Sequence, residues 1–196
     1  SFLSLEEISV AVSEGARLGI PTAAHCIGGQ GLKDCIDGGV DVIEHMYMAT
    51  EQDVDRLASS RCVVDLTSGI FLDPSREEFL SPANALKVRQ NRSRVRENVA
   101  RIIKARLPFV LGTDAYHGLL YREVGYAVEL GAAPVTAIQG VTSHAAKVCR
   151  LEDRIGKLEN GLEADIIAVK GNPLEDVSRL SQVGLVMKGG VIYRQP

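Results

Sequence analysis

Several apolar runs in this sequence end on a side chain able to ligate a metal or move a proton. Ile20-Pro21-Thr22-Ala23-Ala24 leads into His25, Val40-Asp41-Val42-Ile43 into Glu44-His45, and Phe109-Val110-Leu111-Gly112 into Thr113-Asp114. The runs read as strands, and the carboxyl ends of strands in α/β sheets are where active sites are built. Side-chain alternation puts Ala23 with His25 on one face, Ile43 with His45, and Val110 and Gly112 with Asp114. If those faces turn inward together, two imidazoles and one carboxylate meet at a single mouth. Such a set suits a zinc-like divalent ion with an open position for water. The ion would lower the pKa of that water, and the carboxylate would take its proton and return it to a leaving group. His25, His45 and Asp114 are therefore the candidate metal ligands, with Asp114 also the candidate catalytic base. Singly, each has a plainer role as a loop or core histidine, or as a turn or cap aspartate. Their shared place at strand ends sets them apart.

The elements that must carry these groups alternate. Ser4-Leu5-Glu6-Glu7 is a capping box, followed by Leu5, Ile8, Val12 and Ala16 at helical spacing and Gly19 as a stop. A glycine-rich stretch at Gly28, Gly29 and Gly31 leads to a short helix over 32–36. Thr50 caps a helix over 50–60. Cys62-Val63-Val64-Asp65-Leu66 is a further strand. Residues 67–82 read as a long loop broken by Pro74 and Pro82. A charged helix covers about 83–105, and two more follow near 120–130 and 135–148. Strands alternating with helices imply βαβ units and a parallel sheet. A closed eight-stranded βα barrel needs about 250 residues, so 1–150 holds enough chain for half a barrel. Beyond Leu151 the texture changes to two β-rich pieces, 165–170 and 183–193, the second turning at Gly189-Gly190.

Composition removes several function classes. With 196 residues, 45% hydrophobic and 24% charged, the chain can bury a core, which excludes global disorder. No apolar run reaches the roughly 18 residues of a membrane span. A net charge of −3 argues against nucleic acid as the partner. The opening Ser-Phe-Leu-Ser-Leu-Glu-Glu has no basic region before an apolar one and does not read as a secretory leader, and the missing initiator Met suggests a processed or partial chain. The cysteines at 26, 35, 62 and 149 form no C-x-x-C and read as reduced thiols of a cytoplasmic protein.

The motifs together resemble the amidohydrolase superfamily, with the nearest look to its imidazolonepropionase-like and prolidase-like members. Ala24-His25-Cys26, Gly39-Val40-Asp41-Val42-Ile43-Glu44-His45 and Leu111-Gly112-Thr113-Asp114 carry the resemblance. So do residues 156–167, where Gly156-Lys157-Leu158-Glu159-Asn160-Gly161 opens a segment ending in Ala164-Asp165-Ile166-Ile167. Asn172-Pro173-Leu174-Glu175-Asp176-Val177 and Val186-Met187-Lys188-Gly189-Gly190 continue it. The resemblance implies an α/β fold: the C-terminal half of a TIM-like (β/α)8 barrel, strands five to eight, over 1–150, then part of a small β-sandwich domain over 151–196. It implies His25 and His45 as metal ligands after barrel strands five and six, and Asp114 after strand eight as ligand and proton shuttle. The implied reaction is attack of metal-activated water on a C–N bond of a small amide, cyclic amide or dipeptide-like substrate, with one or two divalent ions, zinc foremost. The family's strand-one His-x-His and its bridging lysine have no counterpart here, so the chain looks like part of an enzyme. The alternative is a non-catalytic half-barrel module that completes a partner or pairs with itself. The open edges of a half-sheet would be covered by such pairing, and a homo-oligomer is the expectation.

Other features have plain readings. His117 lies past Asp114 and is a loop histidine rather than a substrate contact. His144 reads as structural, inside the helix opened by Pro134. Glu44 should face away from His45, toward a surrounding helix. Residues 76–106 hold nine basic and three acidic side chains, which read as a solvated helix face rather than a nucleic-acid patch.

Overall fold

The computed structural model of the chain describes residues 2–114 and 118–195. Helix α1 (Leu5–Leu18) starts at the capping box expected of Ser4 and Glu7 and ends at Gly19, whose φ of 70° closes the last turn. Strand β1 (Ala23–Cys26), helix α2 (Gln30–Asp37), strand β2 (Val42–His45), helix α3 (Glu51–Ala58) and strand β3 (Val63–Leu66) follow in strict alternation. Thr50 caps α3 by accepting the Asp53 amide, while Asp53 reaches back to the Thr50 amide. Thr50→Ala removes one half of that exchange and lowers the stability of the chain by about 1 kcal/mol, read as a drop in the urea midpoint. An unchanged midpoint would mean that the cap contributes nothing.

The stretch 67–82 departs from the long loop expected of it. It folds into a short helix α4 (Gly69–Leu72) and a 3-10 turn (Pro74–Phe79), with Asp73 accepting the Ser75 amide between them. Its prolines start elements here: Pro74 opens the 3-10 turn and Pro82 opens α5, because a first-turn position has no amide to lose. The long helix α5 (Pro82–Lys104) and strand β4 (Phe109–Leu111) come next. Helix α6 (Leu120–Glu129) precedes α7 (Pro134–Gly140) and α8 (Ser143–Val148), so the single helix expected over 135–148 is two. The break falls at Thr142, whose φ of −130° and ψ of −98° leave the helical region.

Strands β1 to β4 form one parallel sheet in the order β1-β2-β3-β4. Register pairs Cys26 with His45, Ile43 with Val64 and Leu66 with Leu111. One face of the sheet joins the helices in a single apolar cluster that includes Ile43, Val64, Leu66, Phe109 and Leu111 with Leu32, Leu57, Val99, Ile102 and Val124. Val42, Glu44, Asp65 and Val110 alternate to the other face. A separate three-stranded antiparallel sheet, β5 (Ile166–Val169), β6 (Val183–Lys188) and β7 (Val191–Arg194), turns at Gly189-Gly190 as expected. No described helix is long and apolar enough to cross a membrane.

Candidate active site at the carboxyl ends of the strands

His25 and His45 meet. Their rings stand edge to face with centroids 4.5 Å apart. The route to that contact differs from the alternation rule. Register puts His25 beside Glu44, not beside Ile43 or His45, and Ile43 sits in the helix-side core at zero exposure. Strict alternation would therefore send His45 toward the helices. The backbone prevents this: His45 has φ 84° and Met46 φ 50°, both in the left-handed region that non-glycine residues seldom occupy. The strand ends in a twist that swings the imidazole onto the face that His25 shares. Glu44 is corrected by the same register. It faces His25 and Asp65 rather than a surrounding helix, because it still lies within the regular pleat.

His45 is held from behind. Its Nδ1 lies 2.6 Å from the Thr67 hydroxyl, and that hydroxyl lies 2.6 Å from the Tyr47 phenol. The phenol also donates to the Thr67 carbonyl at 2.8 Å. Asn98 on α5 donates to the Tyr47 carbonyl at 2.7 Å, and the Tyr47 ring stacks over His45 at 5.2 Å. Burial and the neighbouring His25 hold the His45 pKa below its usual value, with Asp114 and Glu44 opposing. Burial pushes the Tyr47 phenol well above its ordinary range, so it stays protonated. Thr67 and Tyr47 were missed in the sequence because neither is a metal-ligating type. Thr67 nonetheless occupies the slot used for the other candidates, directly after a strand.

Asp114 is exposed and takes φ 53°. Its charge opposes the lowering at His45 and adds to the rise at Asp65, which puts it within electrostatic reach of His45. Asp65 is a second carboxylate on this face. Its Oδ1 is buried and has no hydrogen-bond partner among the described residues. It lies against Gly112, where a Cβ would come 2.8 Å from Oδ2, so the glycine of the Gly-Thr-Asp run makes room for it. A charged residue inside an apolar strand was the available signal for Asp65.

Burial, then Glu44 and Asp114, push the Asp65 carboxyl up to about 6, with the Gly112 amide offsetting part of this. The sign of the linkage is definite. Between the ordinary value of 3.8 and about 6, the folded chain keeps a proton that the unfolded chain has lost. Stability therefore falls as pH rises through that window and stays lower above it. Asp65→Asn should raise the stability of this chain by about 1–2 kcal/mol near neutral pH, with little gain below about pH 4. Urea unfolding across that range checks it, and a gain that ignores pH would reject the cause given.

A buried ion pair supports the same end of the sheet. Arg76 and Glu123, both 1% exposed, meet at 3.1 Å. Both Glu123 oxygens accept from the Gly69 amide, at 2.9 and 3.0 Å. Arg76 also donates to the Thr113 carbonyl at 3.3 Å, one residue before Asp114. Asp73 lies 3.8 Å from Arg76 and pairs closely with Arg122. Arg76 thus departs from the solvated basic face expected over 76–106, while Arg89 and Arg96 on α5 do lie at the surface.

Among the described residues, no three His, Cys, Asp or Glu side chains gather closely enough to hold a metal ion by themselves. The donors fit such an ion as a pair of imidazoles in contact, with the His45 Nδ1 already engaged by Thr67 and its Nε2 left for a ligand. His117 lies outside the described residues. His144 is half-buried on α8 and lines a cavity of about 410 Å³ with Pro21, Val42, Val63 and Pro108, at the opposite end of the strands.

Comparison with known proteins gives the family. The model of the amidohydrolase family matches residues 3–193. The chain belongs to the amidohydrolase family. Ochratoxinase of Aspergillus niger is 32% identical over 206 residues, covering 98% of this chain and 42% of ochratoxinase. Imidazolonepropionase of Desulfotalea psychrophila is 22% identical over 179 residues, covering 86% of this chain and 38% of that protein. Among solved structures, a Xaa-Pro dipeptidase with bound methionine superposes with a TM-score of 0.89 at 31% identity, over 98% of this chain and 49% of the dipeptidase. A. niger ochratoxinase superposes at 0.85 and 30% identity, over 99% of this chain and 46% of its own. This amidohydrolase chain therefore spans about half the length of the relatives it matches.

Proposed function

We propose that this amidohydrolase chain forms strands five to eight of a (β/α)8 barrel over 1–150 and part of a β-sandwich over 151–196, within a metal-dependent hydrolase of C–N bonds. The strand order supports the first part. Each strand pairs with its neighbour in sequence, with no reversal of direction or order, as a barrel requires and a doubly wound sheet does not. Among the described residues β1 and β4 each pair on one side only. Four more strands would cover both edges, and relatives twice as long have chain enough to supply them.

The observation that carries the chemistry is the contact of His25 with His45 at the carboxyl end of the sheet, with Asp114 in electrostatic reach. His25 and His45 would hold a divalent ion, zinc first among them, and Asp114 would contribute its carboxylate beside them. A bound ion supplies Lewis-acid activation of water and of the scissile carbonyl. Asp114 then accepts a proton and delivers it to the leaving nitrogen, at a position open to solvent and substrate. The substrate is a small amide, cyclic amide or peptide-like molecule; the dipeptidase among the similar structures favours the last.

Metal removal tests the reading. Dialysis of the complete protein against a chelator should lower hydrolysis of a Xaa-Pro dipeptide panel and an N-acyl amino acid panel by about 100-fold or more, and zinc should restore it. Hydrolysis that survives thorough removal of metal would sink the proposal.

A further inference from the structure

We infer that Thr67 and Tyr47 are positioning residues, which fix His45 in the tautomer protonated on Nδ1 and leave Nε2 as the bare donor atom. The use of that atom for a metal rests on the function proposed above; the tautomer does not.

A count of protons carries the inference. Three short polar contacts link the buried side chains of His45, Thr67 and Tyr47: Nδ1 to Oγ1 at 2.6 Å, Oγ1 to the phenol at 2.6 Å, and the phenol to the Thr67 carbonyl at 2.8 Å. Each needs a proton between its heavy atoms, because two lone pairs that close repel. A carbonyl only accepts, so the Tyr47 proton goes to the Thr67 carbonyl. The phenol oxygen then accepts the Thr67 hydroxyl proton. With both hydroxyl protons placed, the contact from imidazole to hydroxyl takes its proton from Nδ1. The reverse direction would fork the one Tyr47 proton between two acceptors and weaken both contacts. His45, Thr67 and Tyr47 are 5%, 3% and 5% exposed, so the protein's own groups must satisfy this chain.

The surroundings keep the relay in place. Asn98 holds the Tyr47 backbone through its carbonyl, and Phe71 packs edge-on against the Tyr47 ring at 4.6 Å. Thr67 follows β3 directly, so the neighbouring strand sets its hydroxyl. A neutral imidazole binds a cation through its unprotonated nitrogen, and the partner on the other nitrogen decides which one that is. The relay makes the choice in advance.

Side-chain nitrogen NMR of the complete, metal-free, 15N-labelled protein tests this. His45 should show a protonated-type Nδ1 and an unprotonated-type Nε2. Thr67→Val should lose that pattern, moving toward the Nε2-protonated form, and Thr67→Ser should keep it. Tyr47→Phe frees the Thr67 proton for Nδ1 and should also move the pattern toward Nε2–H. Titration with zinc alone should weaken by about 10–100-fold in Thr67→Val and recover in Thr67→Ser. An Nε2-protonated His45 in the parent protein overturns the inference, as does a pattern unchanged in both Thr67→Val and Tyr47→Phe. If His45 shows the expected pattern and the protein takes up no zinc, the positioning stands and the metal-dependent function falls.

Discussion

Asp114→Asn in the complete protein should lower kcat by about 100-fold or more while the thermal midpoint stays close to that of the parent. The size follows from the usual worth of a positioned general base. Asparagine has the same shape and cannot take up a proton. It also tolerates the left-handed backbone that Asp114 adopts, with φ 53°, better than most residues do. Asp114 is exposed, so the exchange leaves no cavity and no buried orphan. A fall in kcat without a fall in stability therefore separates chemistry from folding. Turnover near the parent value would remove Asp114 from the proton-moving role and leave the proposed mechanism without its base.

The largest stability effect belongs to the pair of Arg76 and Glu123. Glu123→Leu takes from a guanidinium that is 1% exposed the carboxylate 3.1 Å from it, with Asp73 at 3.8 Å still beside it. Arg76→Met removes the cation beside Glu123, whose carboxyl burial already pushes up to about 7, and leaves the Gly69 amide donating to a carboxyl that takes up a proton. Each single change should lower stability by about 3–5 kcal/mol, because it takes one member of a buried pair from the other. The double variant Arg76→Met with Glu123→Leu should lie closer to the parent than either single, since both desolvation costs vanish together. Gly69 adds a steric counterpart: a Cβ there would come 2.3 Å from Glu123 Oε1. Urea unfolding of the four proteins gives the cycle directly. Additive losses in the double variant would show that the two charges do not act as a pair.

Much of this arrangement was open to reading from residue order. The capping boxes at Ser4 and Thr50, the stop at Gly19 and the alternation of strand with helix follow local rules, and the structure obeys them. The meeting of His25 with His45 was reachable because both sit at strand ends. The reason offered for it failed, since alternation alone turns His45 toward the helices and misplaces Glu44. Periodicity carries no information about a residue with φ 84°. The Arg76–Glu123 pair was hidden for a different reason. Its members lie 47 positions apart, and a charge in a basic stretch looks the same whether it ends in water or in the core. Thr67 fell between the two cases, visible by its place after a strand and passed over because threonine is not a metal-ligating type; Asp65 has such a type and lies within the strand rather than at its end.

The twist at His45 and Met46 is settled when the chain folds. The Met46 amide is tied to the Cys26 and Glu44 carbonyls at 3.0 and 3.3 Å, and its side chain is fully enclosed. A ligand approaching the two imidazoles finds them already side by side and does not have to bend a strand to bring them together. Capture at this pair is thus governed by how easily the visitor reaches the two rings and sheds its hydration, and the two rings are set before anything arrives.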